Sequence, residues 1–229
     1  MSIPKIIHQI WIGPKKLPSI YLDTWKNDYI GMFPEYEYVF WDDIKIDKLD
    51  MDERIRRIYN FEDTYFGKAD IARYVIMEKY GGIYIDADSV WMNNKCLDKL
   101  IEKSKTTNYF ASWEPLCSPE EKRTPRMSNG VFRCTPHHPN SKFLVDELIS
   151  LEPRYEQIRK KNSPWKVTGP MLITKLFHQP DLKLTILPSV YFYPIRWHGI
   201  TDPELHKKID VSKDSYMFQY GISSNNLKY

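Results

Sequence analysis

Asp86-Ala87-Asp88 sets two carboxylates on alternate residues, immediately after the apolar run Ile83-Tyr84-Ile85. In an extended chain alternate side chains share a side, so Tyr84, Asp86 and Asp88 point one way and Ile83 and Ile85 the other. Two carboxylates converging beyond a strand end repel each other unless a cation lies between them. Hard oxygen ligands suit Mg²⁺ or Mn²⁺, and such a cation can also hold a diphosphate. The triplet alone is weak. Asp50-Met51-Asp52 has the same letters, but it stands before Glu53, Arg54, Arg56 and Arg57 and reads as a solvated helix start. For Asp86-Ala87-Asp88 the bland alternative is a turn cap ahead of Val90-Trp91. Upstream, Asp70 and Arg73 are three apart, hence on one face of a helix and near its centre. By itself such a pair is ordinarily a surface ion pair.

The elements that must position these groups follow from periodicity. Ile3 to Ile12 is a nearly continuous apolar run around His8 and Gln9, as in a strand buried on both faces, and Gly13-Pro14 stops it. Tyr36 to Trp41 is a second such run, and the helical pattern from Leu22 to Tyr29 between them makes the opening β-α-β, which predicts a parallel sheet. Asp42-Asp43 offer caps, Asp52 to Tyr59 is helical, and a better helix spans Lys68 to Tyr80 with Gly81-Gly82 as its stop. The acidic triplet thus ends a helix-glycine-strand unit, at the strand end where open α/β sheets put their ligand crevices. Later strands are predicted at Tyr109 to Trp113, Val131 to Cys134 and Leu184 to Leu187, and helices at Ser141 to Leu151 and Pro170 to Phe177.

Composition narrows the class. The 229 residues, 42% hydrophobic and 14% aromatic, suffice for a packed core and are read as one α/β domain, 1–229. The 33 basic and 30 acidic residues are well mixed, which argues against nucleic acid as partner and leaves room for an anionic small ligand. Cys96, Cys117 and Cys134 are odd in number and form no C-x-x-C pair, so neither a disulfide framework nor a structural zinc on Cys134, His137 and His138 is expected. No run of 18 apolar residues occurs, and Ser2-Ile3-Pro4-Lys5 enters a strand at once without space for a signal peptide; the expectation is a cytoplasmic protein with no integral membrane segment.

Three segments taken together resemble the glycosyltransferases of family 32, which include yeast initiating mannosyltransferases and bacterial capsular or lipopolysaccharide sugar transferases. They are Pro4 to Trp11, Tyr38 to Asp42, and Lys68-Ala69-Asp70-Ile71-Ala72-Arg73-Tyr74 running through to Asp88; the third is also similar to the clostridial glucosylating toxins. The resemblance is dense over Ile3 to Trp91 and thinner beyond. It implies a GT-A fold and a retaining, Mn²⁺- or Mg²⁺-dependent transferase that moves a hexose from a nucleotide-sugar, UDP favoured over GDP-mannose, to a saccharide or glycan acceptor. By this similarity His8, Gln9, Ile10 and Trp11 line the nucleoside pocket, with the base near Trp11 or Trp41. Asp70 and Arg73 touch the donor sugar. Asp86, beside Tyr84 and Ala87, meets ribose or sugar together with the metal, and Asp88 binds the metal directly. Asp70, Arg73 and Asp86 are the catalytic candidates.

The chain departs from the family where a His and then a Ser-Trp pair commonly close over metal and diphosphate. Gln219 stands where the His falls and Asn225 where the Trp falls, after Ser224, a donor-side candidate; the amide oxygens of Gln219 and Asn225 could still ligate a hard cation. That departure keeps open a nucleotide-sugar-binding pseudo-enzyme. A second alternative comes from Ile85-Asp86-Ala87-Asp88-Ser89-Val90, which fits the nucleophile motif of haloacid-dehalogenase-type phosphatases, although two strands precede it and no late Gly-Asp-x-x-x-Asp follows. Ser128-Asn129-Gly130 either faces the donor through Asn129 or is plain turn chemistry. Glu114 after Trp113 is either an acceptor-side carboxylate or an exposed charge. Thr168-Gly169-Pro170 starts a helix that could face the acceptor. His137, His138 and His198 read as surface or loop histidines, and Glu120-Glu121-Lys122-Arg123 as a loop over the cleft.

Overall fold

The computed structural model describes residues 2–121, 124–195 and 200–222. Strand β1 (Ile6–Ile10) lies between β2 (Glu37–Trp41) and β3 (Gly82–Ile85), parallel to both, as the β-α-β opening predicts. Strand β4 (Ser89–Trp91) leaves this sheet. The sheet is completed by β5 (Tyr109–Trp113), β6 (Met127–Cys134) and β7 (Thr185–Leu187), giving the order β2-β1-β3-β6-β5-β7. Because β6 is antiparallel to both β3 and β5, while β7 is parallel to β5, only β6 runs against the other strands of this sheet. Strand β8 (Met217–Gln219) pairs antiparallel with β4 in a small second sheet.

Alternation along β3 divides the core. Tyr84 packs with Ile71, Tyr74, Phe132 and Leu144, under the helices Tyr65–Tyr80 and Pro139–Leu151. Ile83 and Ile85 pack on the other face with Trp25, Tyr29, Leu100 and Phe110. There the cover is the Asp98–Ser104 helix and the N-terminal helix, which begins at Ser19, earlier than the sequence pattern suggests, and winds through a π segment, Thr24–Tyr29. Ser128-Asn129-Gly130 is not a turn; it lies inside β6, which is buried along its length and starts four residues before the apolar run that marks it. Strands β4 and β8 have three residues each, too few for a periodicity to register. Among the described residues no helix is long and apolar enough to cross a membrane.

Candidate active site

The Tyr65–Tyr80 helix carries the first pair of polar residues into the core. Thr64 caps it by accepting from Gly67 N at 3.2 Å, and Gly81 ends it with φ 63°, a conformation that glycine adopts without a Cβ clash. Covered by sheet and helices, it buries nine consecutive or near-consecutive residues from Gly67 to Met77, so Asp70 and Arg73 are interior. The surface-pair reading is thereby overturned: their side chains are 9% and 6% exposed. Buried polar groups need partners, and this pair has them. Arg73 reaches Asp70 Oδ1 at 3.0 Å and Asp86 Oδ1 at 2.9 Å, and donates to the carbonyls of Asn129 at 2.7 Å and Ala69 at 3.3 Å. Its guanidinium lies over the Tyr84 ring, 4.5 Å from the centroid. Asn129 Nδ2 donates to Asp70 Oδ1 at 2.7 Å.

The acidic turn is held by Gly130, Tyr84, Gln9, Ser89, Gln219 and Ile222 as well as by Arg73. Asp86 N donates to Gly130 O at 2.9 Å, Tyr84 Oη to Asp86 Oδ1 at 2.9 Å, and Gln9 Nε2 and Ser89 Oγ to Asp86 O at 3.1 and 2.6 Å. The β4–β8 pairing sets Gln219 opposite Ser89, and from there Gln219 Nε2 donates to Asp86 Oδ2 at 2.8 Å and Asp88 Oδ1 at 3.1 Å. Ile222 N donates to Asp88 Oδ2 at 2.8 Å. Burial, and then the charge of Asp86, push Asp88 up to about 6. Burial likewise lifts Asp70 to about 6 against the opposing pull of Arg73.

These groups fit a hard divalent cation in one respect that can be measured. An octahedral oxygen shell with metal bonds of about 2.1 Å has edges of about 3.0 Å. The Gln219 amide terminus lies 2.8 and 3.1 Å from the two carboxylate oxygens, and half a turn of the amide presents Oε1 there instead of Nε2. Asp86, Asp88 and Gln219 are therefore the oxygens that would hold the ion. Elsewhere, among the described residues, Glu35, Cys96 and Asp98 gather ligand atoms within 4.8 Å of one another, but Lys5 Nζ already meets both carboxylates there at 3.3 and 2.9 Å.

A cleft of two lobes meets at this turn. One, about 350 Å³, is lined by Ile10, Trp11, Lys15, Tyr65 and Ala87; the other, about 520 Å³, by Asp70, Glu114, Asn129, Trp165 and Gln219. Phe66, Arg73, Asp86 and Asp88 belong to both. Of the residues the sequence nominates, Ile10, Trp11, Asp70, Arg73, Tyr84, Asp86, Ala87, Asp88, Asn129 and Gln219 line the cleft. Three do not. His8 is buried, accepts from Trp41 Nε1 at Nδ1 and donates from Nε2 to Gly81 O, and burial lowers it to about 4, so it is a neutral core histidine. Trp41 is buried in the core under the Tyr65–Tyr80 helix, against Tyr80. Gln9 is buried and acts on Asp86 through the backbone, with its Oε1 held by Tyr38 Oη at 2.8 Å. Ser224 and Asn225 lie outside the described residues, as do His198, Lys122 and Arg123.

Other residues also depart from the sequence reading. Glu114 is no exposed charge; its side chain is 12% exposed and paired with Arg126. His138 lies in a loop, as expected, but half-buried: its Nδ1 caps the Pro139–Leu151 helix and its Nε2 meets Thr107 O at 2.9 Å. His137 is exposed, as expected, against Glu78. Tyr65, Phe66 and Trp165 were missed, and their one signal is aromatic residues at helix starts, where burial does not call for them.

Residues 20–107 match the family model described as a glycosyltransferase sugar-binding region containing a DXD motif. The chain belongs to the DXD-motif glycosyltransferases. It is 28% identical to inositol phosphoceramide mannosyltransferase 1 of Schizosaccharomyces pombe over 95% of this chain and 69% of that one. It is 33% identical to inositol phosphoceramide mannosyltransferase 3 of the same yeast over 67% of this chain, but spans only 38% of that relative's length. An uncharacterised glycosyltransferase, L373, of Acanthamoeba polyphaga mimivirus is 27% identical over 84% of this chain and 73% of its own. Among solved structures the UDP-bound glycosyltransferase domain of the YGT toxin superposes with TM-score 0.54 at 10% identity, over 81% of this chain and 80% of that one. The PaToxG glycosyltransferase gives 0.52 at 18% identity, over 78% and 70%. These likenesses establish the GT-A fold. The matched span includes Asp86-Ala87-Asp88.

Proposed function

We propose that the chain moves a hexose from a nucleotide-sugar to a saccharide acceptor with retention of configuration, with help from a divalent cation. The observation that carries this reading is the convergence of Asp70, Arg73, Asp86, Asp88 and Gln219 at the junction of the two lobes. The lobe of Ile10, Trp11 and Tyr65 suits a nucleoside, with its indole and phenol walls and Lys15 near the phosphates. Asp86, Asp88 and Gln219 would hold a Mn²⁺ or Mg²⁺ ion, which would supply positive charge against the departing diphosphate. Asp70 keeps its second oxygen for a sugar hydroxyl, because Asn129 and Arg73 both use Oδ1. Arg73 chiefly braces the two carboxylates, since four of its five N–H donors are taken by Asp70, Asp86, Asn129 O and Ala69 O. In transfer the bond from the anomeric carbon to the diphosphate oxygen breaks with its electron pair on that oxygen. The acceptor oxygen bonds to the anomeric carbon on the same face, and its proton passes to the leaving phosphate.

For the donor, the toxin-like segment and the UDP-bound neighbour support UDP, and the names of the yeast relatives support a mannosyl nucleotide. Incubation with UDP- and GDP-hexoses and Mn²⁺ tests both. Slow release of nucleoside diphosphate, lost in Asp88→Ala, is expected. A competing reading, binding without turnover, draws on the Gln219 amide that already bridges the two aspartates. Nucleotide-sugar binding with no release of diphosphate under any donor would favour it and sink the transferase reading.

A further inference from the structure

We infer that the outer half of the larger lobe is a saccharide subsite, with Trp165 as its stacking platform and Glu114 and Arg126 as its hydroxyl-binding edge. The inference rests on the transferase reading for the identity of the sugar as acceptor, but its geometry is independent of the donor.

Trp165 is 42% exposed, which is unusual for so large an apolar ring on a short, fixed element. Its helix, Pro164–Val167, is not loose. A Cβ at Gly169 would come within 2.7 Å of Trp165 Cα, Gly169 N donates back to Pro164 O at 3.0 Å, and Tyr74 Oη donates to Gly169 O at 3.3 Å. The indole is therefore held at the rim by the helix that also carries Asp70. Arg126 lies 5.5 Å from the indole centroid and joins it to Glu114 by an ion pair. The loop that bears them is clasped at its base by Glu114 N to Arg126 O and Arg126 N to Cys117 O, both 2.9 Å. In the tight turn between Glu114 and Cys117, exposed Leu116 takes φ 59°, a costly conformation for a side chain of that size.

A hexopyranose has one apolar face of C–H groups and an equator of hydroxyls. A partly exposed indole, with Arg126 and Lys166 Nζ each 5.5 Å from its centroid and Glu114 paired to Arg126, matches both. The indole takes the C–H face, while Glu114 accepts from and Arg126 donates to the hydroxyls. The same lobe contains Asp70, Asp86 and Gly130, so a sugar on Trp165 looks directly at the reacting centre. A half-buried ion pair contributes little net stability of its own, which leaves recognition as its use.

The test is saturation-transfer NMR with methyl α-D-hexopyranosides (gluco, galacto and manno) as probes, on wild type, Trp165→Ala, Trp165→Phe and Glu114→Gln, each loaded with UDP and Mn²⁺. Trp165→Ala is expected to weaken saccharide binding about tenfold, Trp165→Phe to restore most of it and Glu114→Gln to weaken it several-fold. Affinity for UDP, measured by calorimetry, is expected to stay within about twofold in all three. Equal saccharide signal in wild type and Trp165→Ala, or none in a wild type that binds UDP, overturns the subsite. A wild type that stacks saccharide on Trp165 but releases no diphosphate from any nucleotide-sugar supports the subsite and refutes the proposed function.

Discussion

Gly130→Ala is the substitution that most sharply tests how the site is built. A methyl group at Gly130 would lie 2.6 Å from Asp86 Oδ2, short of ordinary contact at 3.4 Å by 0.8 Å. The carboxylate cannot easily retreat, since Arg73 and Tyr84 hold Oδ1 at 2.9 Å each. Gln219 Oε1 and Tyr193 Oη, each 3.1 Å from the added carbon, crowd the other side. Overpacking of this kind costs about 1–3 kcal/mol, a fall in Tm of about 4–8 °C at the middle of that range for a chain of this size. A displacement of nearly an ångström at a reacting centre costs about 10²-fold in turnover. Diphosphate release from the best donor, with thermal melting in parallel, measures both. Gly31→Ala serves as the partner control, because nothing lies within 4 Å of its Cβ and alanine favours the helix; it should melt no lower than wild type and turn over normally. Turnover by Gly130→Ala within about threefold of wild type would refute the claim that Asp86 is positioned by this packing.

His8 makes stability depend on pH in a known direction. Its folded pKa of about 4 lies below the ordinary histidine value of 6.5, so the unfolded chain takes up the proton first, and stability present above pH 6.5 is lost as pH falls towards 4, by about 3 kcal/mol. Asp70 and Asp88, raised to about 6, act oppositely between pH 4 and 6, so the measurement is the difference in denaturant midpoint slope between wild type and His8→Gln. Parallel slopes would refute the assignment. Ahead of the Tyr65–Tyr80 helix, Arg159→Met should cost about 3–5 kcal/mol in urea unfolding, because it strips the cation from Glu62, whose side chain is fully buried and also holds Thr64 and Tyr155. A loss under about 1 kcal/mol would mean that Glu62 is protonated or hydrated instead.

Much of the architecture is legible in the chain itself. Apolar runs of strand length separated by a helical pattern give β1, β2 and the helix between them. The stop at Gly81-Gly82 follows from glycine's freedom at positive φ, and it fixes where β3 begins. The Asp70 and Arg73 spacing and the strand-end position of Asp86 and Asp88 likewise follow from helical and extended geometry. What failed were inferences about environment. His8, Gln9 and Trp41 carry chemistry in their types but are buried behind the cleft, and a single helix's spacing does not reveal that Asp70 and Arg73 would be covered on all sides.

Sequence by itself determined the strand-helix order, the acidic turn at the end of β3 and the carboxylate-guanidinium pair one helix earlier, because each depends on contacts within a few residues. Tertiary structure alone decided that β6 runs against its neighbours and offers Asn129 and Gly130 to Asp70 and Asp86, and that β8 pairs with β4 and delivers Gln219 to the acidic turn 131 and 133 residues away in the chain. Those partners are joined by sheet hydrogen bonds between distant segments, and such bonds leave no periodic trace in either segment.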